Sequence, residues 1–193
     1  MAKQALIIFA RKPELGKVKT RLAKTVGDKK ALEIYKKLLN HTKSVISKID
    51  CTKYVFLTKE LNDDFWHGLN TELQQGESLG ERMLYALELL FKKGHKNVLI
   101  IGTDCPSISE EIINSGFTHL ENHDAVVGPA QDGGYYLLGM NQLHTSLFEN
   151  ISWSSEVVLE QTIEKMNVEN LSYFTLPTLN DVDEEKDVPA DWL

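Results

Sequence analysis

Apolar residues run unbroken from Ala5 to Ala10 and from Val98 to Ile101, and stretches of that kind predict strands covered on both faces, as in a parallel sheet between helices. Ala125 to Val127 give a third apolar strand, ended by Gly128 and Pro129. Tyr54 to Thr58 read as a short β-branched and aromatic strand with a polar loop, Asn62 to Asp64, behind it, and Leu171 to Leu176 add an edge strand before Pro177. Helical spacing fills the intervals. From an N-cap at Asp28, one face carries Leu32, Tyr35, Leu39, Thr42, Val45, Ile46 and Ile49. A second helix packs through Leu79, Met83, Ala86, Leu87 and Leu90 and stops at Gly94. A third, capped by Ser107 or Ser109, runs through Ile112, Ile113 and Phe117 with Glu110 and Glu111 in its first turn. The last starts from Ser154 and carries Val158, Leu159, Thr162, Ile163 and Met166. Strands alternating with helices define an α/β chain.

Length adds that this is one domain, residues 1–193, because a chain of 193 residues with 42% hydrophobic content supports one substantial core and falls short of two. The apolar runs are far below bilayer-spanning length, and the amino terminus lacks the apolar core of a signal peptide. A cytoplasmic protein with no stable membrane insertion is expected. Cys51 and Cys105 are too few for a zinc site and too far apart in sequence to suggest a disulfide framework. A formal net charge of -7 argues against a nucleic-acid partner, which requires a basic face.

One basic cluster breaks that acidic balance. Arg11, Lys12, Lys17, Lys19 and Arg21 crowd the loop after the first strand, punctuated by Pro13 and Gly16, and an anionic partner such as a diphosphate explains such density better than solvation does. The Gly16 to Thr20 segment resembles part of a P-loop, but Val18 stands where that motif needs glycine, which disfavours a P-loop ATPase. Gly76 and Gly80 open the second helix, where backbone amides can approach a phosphate or base; Arg82 beside them is either an anion clamp or a surface cation. Asp104 follows Val98 to Ile101 at the carboxyl end of a central strand, the edge where open α/β sheets bind ligands, or else simply shapes an Asx-turn. Asp132, Gly133 and Gly134 form either an ordinary hairpin turn or a ligand opening lined by Tyr135 and Tyr136. Trp153 is a sugar platform or a packing wedge. Asp181 and Asp183, two apart in an extended segment, point to one side and can offer oxygens to a hard cation.

Five ordered motifs, Gly16 to Leu22, Leu79 to Met83, Gly102 to Pro106, Gly128 to Tyr136 and Asp181 to Asp183, together resemble the DUF2064 family of candidate glycosyltransferases, itself similar to nucleotide-diphospho-sugar transferases of the GT-A fold. The resemblance implies a Rossmann-like three-layer α/β/α sandwich with a mostly parallel mixed sheet, a nucleotide-sugar donor, a small-molecule acceptor, and Mg²⁺ or Mn²⁺. Under it Asp104 and Asp183 resemble metal-binding acids, Arg11, Lys12, Lys19 and Arg21 the diphosphate contacts, and Asp132 a catalytic carboxylate in the acceptor region, with Asp104 sharing the catalytic role. Gly80, Arg82, Gly133, Gly134, Tyr135 and Trp153 complete the expected substrate-binding set. Homodimerisation stays open. Where related nucleotidyltransferases carry a glycine-rich signature after the first strand, this chain has Phe9-Ala10-Arg11-Lys12-Pro13, so cations rather than glycine amides meet the phosphates. The rival expectations are a guanylyltransferase-like nucleotidyltransferase that releases pyrophosphate, and a non-catalytic nucleotide-binding protein.

Overall fold

The computed structural model describes residues 4–60 and 64–193. Its elements follow the chain as β1 (Gln4–Ala10), α1 (Thr20–Ser47), β2 (Thr52–Leu57), β3 (Asn70–Leu73), α2 (Leu79–Lys92), β4 (Asn97–Ile101), α3 (Glu110–His119), β5 (Ala125–Pro129), β6 (Tyr135–Met140), α4 (Val158–Val168) and β7 (Tyr173–Thr175). The seven strands form one sheet in the order β3-β2-β1-β4-β6-β5-β7. β6 alone runs against its neighbours, pairing antiparallel with β4 and β5, while the other adjacent strands are parallel.

Alternating residues of the central strands feed two cores, one on each face. Leu6 and Ile8 of β1 and Leu99 and Ile101 of β4 pack with Ile34, Leu38 and Phe117 from α1 and α3. Ala5, Ile7, Val98 and Ile100 point the other way, toward Met83, Leu87 and Leu90 of α2 and Met166 of α4. This is why β1 and β4 are apolar at successive positions: both faces are buried. The result is the expected three-layer arrangement of helices on a mostly parallel mixed sheet. No helix among the described residues is long and apolar enough to cross a membrane.

Three expectations shift. Helical structure begins at Thr20, not at Asp28, and is interrupted at Gly27, whose φ of 81° and ψ of 158° restart the helix beside the anticipated cap. The end of the basic loop, Thr20 and Arg21, therefore opens the first turn of α1, with Lys19 as its N-cap. The last helix begins at Val158 rather than near Ser154, which instead takes a left-handed turn with φ 64°. β3 had no clear pattern because its four residues, Asn70 to Leu73, sit at a sheet edge and are largely exposed. Residues 62 and 63 of the expected polar loop lie outside the described residues.

Leu99 shows how the sheet and α3 close on each other. It is fully buried opposite Leu6 and Gly139, and a Cβ on Gly139 would fall 2.2 Å from its Cδ2, while one on Gly116 of α3 would fall 3.1 Å from its Cδ1. Two glycines leave the space that this leucine fills. Leu99→Ala should therefore lower unfolding free energy by about 2–5 kcal/mol, read as a drop in urea midpoint at unchanged m-value.

Candidate active site

Parallel pairing of β1 with β4 delivers the two loops that follow them, carrying Arg11 and Asp104, to the same carboxyl edge of the sheet. Because β6 is antiparallel, its start at Tyr135 reaches that edge as well, preceded by the Asp132-Gly133-Gly134 turn of the β5–β6 hairpin. The tail after β7 then crosses this edge. Leu179 bridges to Ala130, and the Val182 amide donates to the Asp104 carbonyl at 2.9 Å. Val182 is fully buried, so the extended segment anchors by its middle residue and turns Asp181 and Asp183 toward the opening.

Lys19 ties these segments together. It is the N-cap of α1 in a left-handed conformation, φ 49° and ψ 45°, and its side chain is only 5% exposed. Its Nζ donates to the Val182 carbonyl at 2.7 Å and stands 2.8 Å from Asp104 Oδ1 and 3.9 Å from Asp183 Oδ1. Arg21 Nη1 donates to the other oxygen of Asp183 at 3.3 Å. Tyr35, a packing position by helical spacing, is also part of the edge. Its hydroxyl accepts from the Arg11 amide at 2.8 Å and donates to the Arg11 carbonyl at 3.1 Å, pinning the loop after β1. A tyrosine where Leu or Ile would pack equally well was the sequence signal for that role.

A cavity of about 560 Å³ gathers Arg11, Lys19, Arg21, Asp104, Asp132, Gly134, Tyr135, Trp153, Asp181 and Asp183, with Tyr35, Leu79, Ser155 and Glu156 also on its walls. Two other depressions, about 800 Å³ at the opposite sheet edge beside Gln4 and Asn97 and about 580 Å³ along β3, are comparable or larger, but neither draws the motif residues together. Four of the expected residues lie outside the cavity walls. Lys12 turns its amide to Thr58. Arg82 folds back to donate to the carbonyls of Gly76 and Glu77, which makes it a brace for the turn before α2. Gly80 provides room for Trp153, whose ring would lie 2.2 Å from a Cβ there. Trp153 also stacks on Phe148, so it wedges and lines the cavity at once.

Gly133 has a structural reason for lacking a side chain. At φ +86° a Cβ would fall 1.9 Å from the Glu156 carbonyl oxygen, and its own carbonyl accepts from the Leu159 amide in the first turn of α4. The hairpin turn is thus docked on α4, while Asp132 Oδ1 accepts from the Gly134 amide at 2.9 Å in an Asx-turn. The turn is a hairpin, and Asp132, Gly134 and Tyr135 also line the cavity, whereas Tyr136 is buried and donates its hydroxyl to the Pro177 carbonyl instead.

Asp181 is the most perturbed acid. Its Oδ1 is buried and finds no hydrogen-bond partner among the described residues. Burial first, and then the Asp104 carboxylate, push its carboxyl up to about 7, against the opposing pull of Lys19. Asp104, Asp183 and the Val182 carbonyl offer hard oxygens around one cationic point, a donor set that suits Mg²⁺ or Mn²⁺. The Lys19 ammonium stands at that point, so the residues fit such a cation provided the lysine withdraws.

The sheet order and the cavity at its carboxyl edge define a protein with the nucleotide-diphospho-sugar transferase fold. The structure resembles that of a candidate nucleotide-diphospho-sugar transferase from Desulfovibrio desulfuricans G20, with a TM-score of 0.90 and 33% identity over 95% of this chain and 84% of that one. The chain belongs to the family described as "Uncharacterized protein conserved in bacteria (DUF2064)", whose model matches residues 41–155. That match takes in the motifs at Leu79, Gly102 and Gly128; the Gly16 and Asp181 motifs lie outside it. Fold likeness extends to an inositol-1-phosphate CTP transferase from T. maritima, with a TM-score of 0.63 and 11% identity over 98% of this chain and 93% of that one. It also extends to a 4-diphosphocytidyl-2C-methyl-D-erythritol synthase from Anaerococcus prevotii DSM 20548, with a TM-score of 0.60 and 14% identity over 96% and 94%. No curated protein matches.

The environment of Asp181 sets a pH dependence. Its native carboxyl titrates near 7 against an ordinary value of 3.8, so between those values the native state holds a proton that the unfolded chain has released. Stability should decline as pH rises from about 4 to about 7. In chelator-treated protein, urea titrations across that range should show a shallower decline for Asp181→Asn than for the wild type; parallel profiles would refute the assignment.

Proposed function

We propose that the protein transfers a sugar from a nucleotide-diphospho-sugar to a hydroxyl of a small-molecule acceptor. The observation that carries this reading is the convergence, in one cavity at the sheet's carboxyl edge, of Arg11, Lys19 and Arg21 with Asp104, Asp183 and Asp132. Cations and paired carboxylates in one opening match a diphosphate and its metal better than they match an uncharged ligand.

In this reading Arg11, Lys19 and Arg21 hold the diphosphate by charge-assisted hydrogen bonds, and these strengthen as negative charge grows on the departing nucleoside diphosphate. Asp104 and Asp183 would hold Mg²⁺ or Mn²⁺, which when bound neutralises charge on that leaving group. Asp132, exposed at the mouth and oriented by its bond from the Gly134 amide, takes the proton of the acceptor hydroxyl. The acceptor oxygen then bonds to the anomeric carbon as that carbon's bond to the diphosphate oxygen breaks. Gly134, Tyr135, Trp153 and Glu156 surround the space left for sugar and acceptor.

Nucleotidyl transfer is the second reading, favoured by the fold likeness to the T. maritima CTP transferase. The products separate the two: sugar transfer releases a nucleoside diphosphate, and nucleotidyl transfer from a nucleoside triphosphate releases pyrophosphate.

A thermal-shift panel of nucleotide-sugars should yield at least one that raises the melting temperature more with Mn²⁺ than without it, because a ligand bound only by the native state stabilises it. Asp104→Asn should keep the fold and abolish the Mn²⁺-dependent part of that rise. Calorimetry showing unchanged metal-dependent affinity in the variant would remove Asp104 from its role.

A further inference from the structure

The oxygens assigned to the metal already face a cation that belongs to the chain. Lys19 Nζ has Asp104 Oδ1 at 2.8 Å, the Val182 carbonyl at 2.7 Å and Asp183 Oδ1 at 3.9 Å, and Arg21 covers the second oxygen of Asp183. An ammonium and a divalent ion repel each other, and so close a pair cannot share these oxygens. The lysine is also held from behind. Its left-handed backbone, unusual for a residue with a side chain, is fixed as the N-cap from which α1 departs. Its stem is buried, so only the head can move far. The head carries three protons, so on leaving these oxygens it can turn them to a new anion within the cavity that Arg11 and Arg21 also line.

We infer that Lys19 is the resident cation of the donor-free protein, and that a divalent metal enters as the ammonium passes from Asp104 and Asp183 to the donor's diphosphate. This rests on the proposed nucleotide-sugar reading. It adds an order to it: metal and nucleotide bind with positive coupling, and Lys19 sets much of that coupling. A site held shut by its own lysine takes up metal only weakly when no donor is present.

The test is calorimetric titration of Mn²⁺ into wild-type protein, Lys19→Met and Lys19→Gln, alone and with saturating ADP, GDP, UDP or CDP. Wild-type protein should bind Mn²⁺ weakly alone and about tenfold or more tightly with the nucleoside diphosphate it accepts, the scale of ordinary coupling between sites. Both neutral variants should bind Mn²⁺ alone about tenfold or more tightly than wild type and gain less from the nucleotide. Equal or weaker Mn²⁺ binding by folded variants overturns the inference. A readout that needs no variant is acetylation of Lys19 in the wild type, followed by mass spectrometry. Saturating Mn²⁺ should free the ammonium and speed its labelling, and an unchanged rate overturns the inference whether or not the variants fold. Failure of the functional reading looks different: no nucleotide or nucleotide-sugar binds the wild type, while the hold of Lys19 on the metal position remains measurable.

Discussion

A buried ammonium with three oxygen neighbours, that of Lys19, is the contact on which the cavity depends. Taking a charge out of water is costly unless partners surround it, and here the partners come from two segments far away in sequence: Asp104 from the loop after β4, and Val182 and Asp183 from the tail. The same contact therefore balances charge and fastens the chain. Without it, Asp104 and Asp183 would face each other and the half-buried Asp181 with only the exposed Arg21, on the far oxygen of Asp183, to offset them. The Val182 amide bond to the Asp104 carbonyl reinforces the fastening independently of charge, so the backbone at this edge is fixed twice.

The second constraint is spatial. Gly133, Gly80 and Gly128 sit where side chains would strike the Glu156 carbonyl, the Trp153 ring and the Tyr136 ring. Each absence lets one element close on another at the rim of the cavity: hairpin on α4, α2 on the loop before α4, β5 on β6. Tyr136, freed to lie across Gly128, donates its hydroxyl to the Pro177 carbonyl and so helps hold the tail. Glycines in these motifs shape the walls, and the charged residues between them face the space.

Much of this was legible in the sequence, and particular residues show where legibility ended. Ala5 to Ala10 and Val98 to Ile101 announced buried parallel strands because both faces of each are covered, leaving no polar alternation to mislead. Asp104 could be placed at the sheet's carboxyl edge because Gly102 and Pro106 stop the apolar run Val98 to Ile101 around it, and the hairpin from Asp132-Gly133-Gly134. What the pattern could not carry was three-dimensional closure. Arg82 looks as much like an anion clamp as a brace until the Gly76 and Glu77 carbonyls are seen to accept its protons. The first turns of α1 were hidden because Thr20 to Val26 are polar on most sides, and the kink at Gly27 resets the helical period just where an N-cap was expected. Tyr35 read as core and is core, yet its hydroxyl governs Arg11. The perturbation of Asp181 depends on burial beneath loops that meet only in the folded chain.

The tail that completes the cavity also determines when the cavity comes into being. Lys19 and Val182 are 163 residues apart, so their meeting closes nearly the whole chain into one loop, among the entropically dearest contacts this topology contains. A ribosome making the protein presents the basic loop and Asp104 long before Asp181 to Asp183 emerge. The basic loop and the acidic tail segment of the cavity are thus born apart, and the cavity stays incomplete in any nascent fragment that stops short of Asp183.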